Sequence, residues 1–365
     1  MFAPVYLFTR AHAAEASSIH HNPGATVTVF ATGLNNPRGL TFGPDGNLYV
    51  AEGGLGGSAT TTADQCQQVP EVGPYSGGFT SRISKINRHG VRTTVVDGLP
   101  SSQTSADSGG LTSGVADVQF IDGALYGIEA GAGCSHGLLG ADNTLFCVNR
   151  NGTTTTVADL SAYLKAHPVA NPDADDFEPD GTWYGMVNVH GVLYATEPNH
   201  QEVDRITRSG HISRVVDLST QFVPPENWQG ATGIVYHDGA LYIGALGTFP
   251  VRPGTESIYR VTLDGHVRAV ASGLTAVLGI AFDQDGRLYA LETDTVAGFP
   301  GPDAAGTGMV VRVNRDGSLT TIATGLVFPT AMTFGPDGAL YVSNVGFGVP
   351  VPGAGQIVRI SINEH

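Results

Sequence analysis

Residues 39–52, GLTFGPDGNLYVAE, set the terms for the whole chain, because this stretch returns in altered form five more times. Each copy places two short runs of alternating apolar residues around a Gly-containing turn, the pattern of a tight β-hairpin whose turn residues must tolerate positive φ. The copies are DVQFIDGALYGIE (117–129), GMVNVHGVLYATE (185–197), GIVYHDGALYIGA (233–245), GIAFDQDGRLYALE (279–292) and AMTFGPDGALYVSN (331–344). After each hairpin come a loop and further strand pattern, with tight turns at 87–90, 149–152, 207–210, 263–265 and 314–317. Two hairpins in series make a four-stranded meander, and six meanders predict an all-β, six-bladed β-propeller.

Closure of the ring is also readable. The last repeat ends on a third strand at 356–362, so its fourth must come from elsewhere. Residues 26–34 end in ATGL, as the fourth strands of other repeats end in SGL (272–274) and TGL (324–326), and are expected to complete the last blade and protect its edge. The expected blades are 35–99, 114–160, 183–218, 231–274, 277–326 and 329–362 plus 26–34, within a single domain at 26–365. Residues 1–25 read as a signal-peptide remnant or a disordered N-terminus, with Ala11-His12-Ala13 as an A-x-A cleavage pattern.

Composition narrows the partners. A net charge of −15, with Lys85 and Lys165 the only lysines, leaves no basic stripe for a phosphate backbone, so nucleic acid is not expected. The early apolar run at 2–8 is too short to span a bilayer. The three cysteines fit no metal spacing. Cys147 lies in a strand pattern, whereas Cys66 and Cys134 fall in loops after equivalent hairpins of neighbouring repeats, where an exported protein can join them. A secreted or periplasmic monomer is expected.

The long connections all leave the same ends of the strands, so one face, the top, carries the loops in which a rigid scaffold usually holds its site. Aligned on Leu-Tyr, the hairpins put Glu52, Glu129, Glu197, Ala245, Glu292 and Asn344 at one position. By the period of two, each carboxylate continues a buried row at its upper end. Neighbouring carboxylates repel and need compensation from Arg38, from backbone N–H groups, or from a divalent cation, calcium or magnesium, held by Glu52, Glu129, Glu197, Glu292 and Asn344. The competing reading is structural, each Glu tying its blade to the loop of the next.

Most histidines fall in bottom turns, but His136, His167 and His200 are in top loops. His200 follows Glu197 by three residues and His136 follows Glu129 by seven, so Glu52, Glu129, Glu197, His200 and His136 are the candidates for acid/base chemistry. Taken singly, each histidine is more often a surface residue. Phe249, Phe299 and Phe347, in Pro/Gly-rich loops of the last three blades, are expected to form an aromatic substrate-binding wall with Trp183, Tyr184, Trp228 and Arg38, or else to pin their own loops. The insertion at 160–182 begins as a helical turn and ends in an acidic run, Asp173 to Asp180, which reads as a solvated loop or a calcium loop without EF-hand spacing. No serine-hydrolase elbow, P-loop or zinc signature occurs.

With the repeats laid out, the chain resembles the ScyD/ScyE family of exported β-propeller proteins, from about residue 27 to the end. The resemblance rests on ATGLNNPRGLTFGPDGNLYVAEGG (31–54), the Cys66 loop leading to SRISKINRHG, NPDADDFEPDGTWYG before the third blade, ATGIVYHDGALYIGALGTFPVRPG (231–254) and GQIVRI (355–360). It implies the fold and export. More distantly the repeat is similar to NHL-type propellers and streptogramin lyase, where such a Glu recurs as blade architecture. Regucalcin and gluconolactonase propellers place metal ligands just before the inner strands, where this chain has Arg38, Ala116, Tyr184, Thr232, Leu278 and Thr330. That ring does not suit calcium. The functional expectation is metal-assisted or acid/base hydrolysis or elimination on a small organic or polymer-derived substrate in a central top pocket, with a non-catalytic ligand-binding or protein-interaction propeller as the alternative.

Overall fold

In the computed structural model the described residues are 24–224, 228–299, 301, 303–348 and 351–362. The expected signal remnant and its Ala11-His12-Ala13 pattern lie outside them. Strand β1 (Ala25–Leu34) comes first. The first blade then holds β2 (Pro37–Phe42), β3 (Leu48–Glu52), β4 (Ser76–Ile86), β5 (Arg92–Gln103) and β6 (Thr112–Ser113). The second holds β7 (Val115–Ile121), β8 (Ala124–Glu129), β9 (Thr144–Val148) and β10 (Thr154–Asp159), after which the helix α1 (Leu160–Ala166) leads into the third. The third has β11 (Met186–Val189), β12 (Val192–Glu197), β13 (Glu202–Ile206) and β14 (Ile212–Asp217); the fourth β15 (Ala231–His237), β16 (Ala240–Ala245), β17 (Glu256–Thr262) and β18 (Val267–Leu274). The fifth has β19 (Val277–Phe282), β20 (Leu288–Glu292), β21 (Gly308–Val313) and β22 (Leu319–Leu326), and the sixth β23 (Ala331–Phe334), β24 (Leu340–Asn344) and β25 (Gly355–Ile362).

The ring closes as the sequence leads one to expect. β1 pairs antiparallel with β25, from Ala25 against Ile362 to Leu34 against Gly355, and becomes the outer strand of the sixth blade. One difference lies in the first blade, which is five-stranded: β5 runs on to Gln103, beyond the expected edge at 99, and turns back to pair with β6.

The turn chemistry differs among the hairpins. In the first, Gly46 sits at φ +73° and its N–H reaches Gly43 O at 2.9 Å. In blades two to four the loop is one residue shorter, and Asp122-Gly123, His190-Gly191 and Asp238-Gly239 place both central residues at positive φ, as a two-residue type I′ turn requires. His190 is thus a turn residue on the bottom face.

Each seam between neighbouring blades has its own apolar cluster. Ile121, Ile128 and Leu145 meet Met186, Leu193 and Ile206 between blades two and three. Leu291 and Val310 meet Leu340 and Val358 between five and six, and Leu34 and Ile357 meet Leu40 and Val50 where the ring closes. Hydroxyls reinforce the seams near the top: Thr196 Oγ1 donates to Thr232 O at 2.5 Å, Thr232 Oγ1 to Val277 O at 2.5 Å, and Thr330 Oγ1 to Pro37 O at 2.6 Å. Buried side-chain donors satisfied in this way lock blade three to four, four to five and six to one.

Candidate functional site

The terminal glutamates of the hairpins take up a common task. Glu52 Oε2 accepts from Asn35 N, Glu197 Oε1 from Thr182 N and Glu292 Oε1 from Thr275 N, each at 2.6 Å, and Asn344 Oδ1 accepts from Val327 N at 2.8 Å. The amides belong to the segment that enters the same blade from the preceding one. The tie therefore runs backwards along the chain, which corrects the expected link to the next blade. Blade four, with Ala245, supplies the missing acceptor from outside: Gln201 Oε1 takes the N–H of Gln229 at 3.1 Å.

Two members of this set have further roles. Glu52 is fully buried, with Arg82 Nη2 at 2.7 Å and the Ser84 hydroxyl on Oε1. Glu129 is the opposite case: its backbone tie is absent because β6 has been drawn into pairing with β5, its Oε1 has no hydrogen-bond partner among the described residues, and burial pushes its carboxyl well above the ordinary range. Burial also raises Glu292, to about 7, against the pull of the Thr275 amide.

The five-residue metal set does not converge. Glu52, Glu197, Glu292 and Asn344 each serve the amide of a different blade, and no group of three or more His, Cys, Asp or Glu side chains is placed to hold a metal ion among the described residues. The donors therefore do not fit a shared cation, and the same holds for the acidic run at 173–180. Asp180 there is 2% exposed, accepts from Ser135 N at 2.8 Å and Ser135 Oγ at 2.7 Å, and pairs with Lys165. Burial pushes its carboxyl up, but Lys165 and Ser135 outweigh this and hold it below the usual value.

The propeller axis is nearly filled. The channel between the inner strands encloses about 60 Å³ and is lined by Gly39, Gly185, Gly233, Gly279 and Ala331, with Asp117 in the equivalent place on β7. An added Cβ at Gly39 would stand 2.0 Å from Asp117 Oδ1, so the glycine makes room for the carboxylate. Asp117 accepts from Val118 N at 2.7 Å and Met186 N at 2.8 Å, and burial nonetheless raises its carboxyl to about 7. Above it, Tyr184 crosses the axis to donate to Thr330 O at 2.6 Å. Asp117 could have been found by aligning the residue that follows Arg38, Ala116 and their equivalents, where other blades have Gly or Ala.

A cavity of about 440 Å³ lies off the axis, at the top of blades two and three and partly walled by the insertion. Its lining includes Leu164, Pro168, Val169, Pro172, Phe177 and Pro179, together with Lys165, Asp180, the Cys66–Cys134 disulfide and His200. The disulfide ties the long loop of blade one to that of blade two, as expected for an exported chain, while Cys147 is a free, half-buried thiol. Asp159 caps α1, accepting from Ala162 N at 2.8 Å, and so fixes the helix that carries Leu164 and Lys165.

One residue of this lining, His200, forms with Glu197 behind it a pair that has the geometry of a proton-transfer dyad. His200 Nδ1 stands 3.1 Å from Glu197 Oε2, the same oxygen accepts from His200 N at 2.5 Å, and the two residues are 5% and 0% exposed. The T-shaped ring of Phe177, 5.2 Å away between centroids, holds the other side of the imidazole. Burial works against both charges, yet the pair wins: Glu197 is held below the usual carboxylate value by His200 and the Thr182 amide, and His200 is raised by Glu197, Glu202 and Glu178. A buried carboxylate on Nδ1–H fixes the tautomer and leaves Nε2 for a ligand.

His136 is placed differently. Its Nδ1 meets Ser102 Oγ at 2.8 Å, and Nε2 faces Glu178 Oε2 at 3.3 Å in an alignment that completes no hydrogen bond. Tyr75 OH donates to Glu178 Oε1 at 2.6 Å. Ser102 and His136 are both 0% exposed, so no substrate reaches this serine, and the cluster braces the blade-one loop against the insertion. Glu129, seven residues before it in the chain, is not among the contacts of His136. His167, at the C-terminal end of α1, stacks on Tyr163.

The aromatic wall is dispersed. Trp183 is a core residue at 1% exposure and Trp228 is 8% exposed, whereas Phe299 is 72% exposed. Phe249 is half-buried, and Phe347 lies under the Arg38 guanidinium at 5.3 Å. Two buried acids on β13 had no sequence signal beyond alternation: Glu202 and Asp204 are each 0% exposed, and burial raises both, with the Asp204 charge adding to it at Glu202 and the Glu197 charge at Asp204. Arg214 links Glu202 to the His167 carbonyl.

No family model and no curated protein matches the sequence. In structure the chain is similar to a glucose dehydrogenase-type oxidoreductase from Thermus thermophilus, with 17% identity over 93% of this chain and 100% of that one and a TM-score of 0.56. It is also similar to a gluconolactonase from Xanthomonas campestris, with 13% identity over 96% and 93% and a TM-score of 0.55. Streptogramin B lyase matches at 15% identity over 96% and 100%, with a TM-score of 0.49. At such identities the likeness to the first two establishes the shared propeller fold; their chemistries differ from one another.

Proposed function

We propose that the protein is an exported, monomeric β-propeller enzyme of the hydrolase or lyase type, using general acid/base catalysis on a small organic or polymer-derived substrate in the cavity beside the 160–182 insertion. The observation that carries this reading is the buried Glu197–His200 dyad, whose His200 lines a cavity of about 440 Å³. Glu197 holds the imidazole and stabilises its protonated form; His200 Nε2 exchanges the proton with the substrate or with an attacking water. Export is supported by the Cys66–Cys134 disulfide, and membership of the ScyD/ScyE family, on the motifs from 31–54 to 355–360, belongs to the same proposal.

The mostly apolar lining also suits a ligand that is held and not turned over, and one experiment separates the two readings. Purified protein is assayed against a panel of esters, lactones and β-elimination substrates, with His200→Ala and Glu197→Gln beside it and unfolding midpoints recorded for all three. Removal of a general acid/base group lowers kcat by about 10²–10⁴. His200→Ala at the wild-type rate sinks the dyad. Saturable binding of panel compounds without turnover, equal in all three proteins, favours the binding module.

A further inference from the structure

Arg38 is the one arginine among the described residues that is buried, at 8% exposure, and no carboxylate pairs with it. Arg82 and Arg214, both more exposed, have Glu52 and Glu202. A buried cation without a counter-charge is costly, and burial indeed lowers the Arg38 pKa. The chain nevertheless builds a seat for it. Nη2 donates to Thr112 O, the Tyr184 phenol is a second hydrogen-bonding partner, and Phe347 packs against the guanidinium face at 5.3 Å.

The backbone beneath is tied as well: Arg38 O accepts from Ser343 Oγ and Pro37 O from Thr330 Oγ1, both at 2.6 Å. Five N–H donors with two named partners leave a fork with unused capacity. Among the described residues no Arg38 nitrogen is both sealed from solvent and unpartnered.

We propose that Arg38 is the anchor of an anion site at the top of the propeller axis, separate from the His200 cavity, and that its ligand is the carboxylate of a small organic acid. A planar guanidinium held on an aromatic face matches a carboxylate through two parallel hydrogen bonds. One positive charge balances one negative charge. The other residues of the mouth ring, Ala116, Tyr184, Thr232, Leu278 and Thr330, are uncharged side chains at neutral pH, so a dianionic phosphate would keep an unbalanced charge there, close above Asp117.

The probe is benzoate, with benzamide as its neutral analogue and inorganic phosphate as the competing anion. Titration into the full chain is followed by the Arg38 Nε–H resonance and by the unfolding midpoint. Benzoate is expected to shift that resonance saturably and to raise the midpoint, with benzamide and phosphate at least tenfold weaker. Arg38→Lys, which retains charge but loses the fork, should bind benzoate at least tenfold more weakly; Glu197→Gln should bind it unchanged. Equal responses to benzoate and benzamide, or stronger binding of phosphate, overturn the carboxylate assignment. An unmoved Arg38 resonance in wild-type protein overturns the site even if the Arg38 variant does not fold, and loss of binding in Glu197→Gln would place benzoate in the other cavity.

Discussion

Glu129 and Glu197 occupy equivalent places in two hairpins and have opposite electrostatics. Glu197 has an imidazole, two amides and a hydroxyl around it, and its carboxylate is favoured; Glu129 has burial alone, and its charge is disfavoured. A carboxyl raised in the folded state contributes stability that is complete below its unfolded value, near 4.5, and is lost as pH rises through the folded value. Glu129→Gln should therefore gain on wild type as pH is taken from 4.5 upward, read as the difference in urea midpoints; a difference independent of pH would show that Glu129 finds a partner. His200 is also raised, so the imidazolium form gains stability from folding that is present below its ordinary value of 6.5 and lost as pH rises through the folded value. If His200 acts as base, turnover should rise with pH along a limb displaced above 6.5, and Glu197→Gln should move that limb down.

The insertion at 160–182 and the blade-one loop depend on ties that neither could make alone. The disulfide closes a sequence separation of 68 residues, and removing such a link costs about 2–5 kcal/mol. Cys66→Ser with Cys134→Ser should lower stability by that order and loosen the loop wall of the cavity, measured by denaturation and by hydrogen exchange at residues 59–77. Unchanged protection there would assign the wall to the hydrogen bonds of Thr61 and Ala59 instead. On the insertion side the tie is electrostatic. Arg214 joins Glu202 to the His167 carbonyl, and Lys165 joins α1 to Asp180. Arg214→Met should leave two buried acids without their cation and release the end of α1, at a cost of about 3–5 kcal/mol.

At the scale of the molecule, six seams hold a ring that has to be closed by its own N-terminal strand. Removing residues before 35 uncovers the whole edge of β25, from Gly355 to Ile362, and leaves Ile357 and Val358 without their partners. The shortened chain is expected to aggregate or lose cooperative unfolding, read by size-exclusion chromatography and thermal melting; a cooperative monomer would show that the remaining seams suffice. The hairpin period and the ATGL ending of 26–34 were enough to anticipate the six blades and their closure, since both are local consequences of side-chain alternation and turn geometry. The same alternation put each terminal Glu at the end of a buried row. It did not say which Glu would find an imidazole, because Glu197 meets His200 through a turn three residues long whereas Glu129 loses its amide to the pairing of β5 with β6. Nor did it show that Trp183 belongs to the core, that Asp117 fills the axis against Gly39, or that the cavity lined by His200 lies off-centre beside the insertion. Those outcomes depend on which blades and loops face one another, and burial and electrostatic partnership are properties of that arrangement, absent from any single stretch of chain.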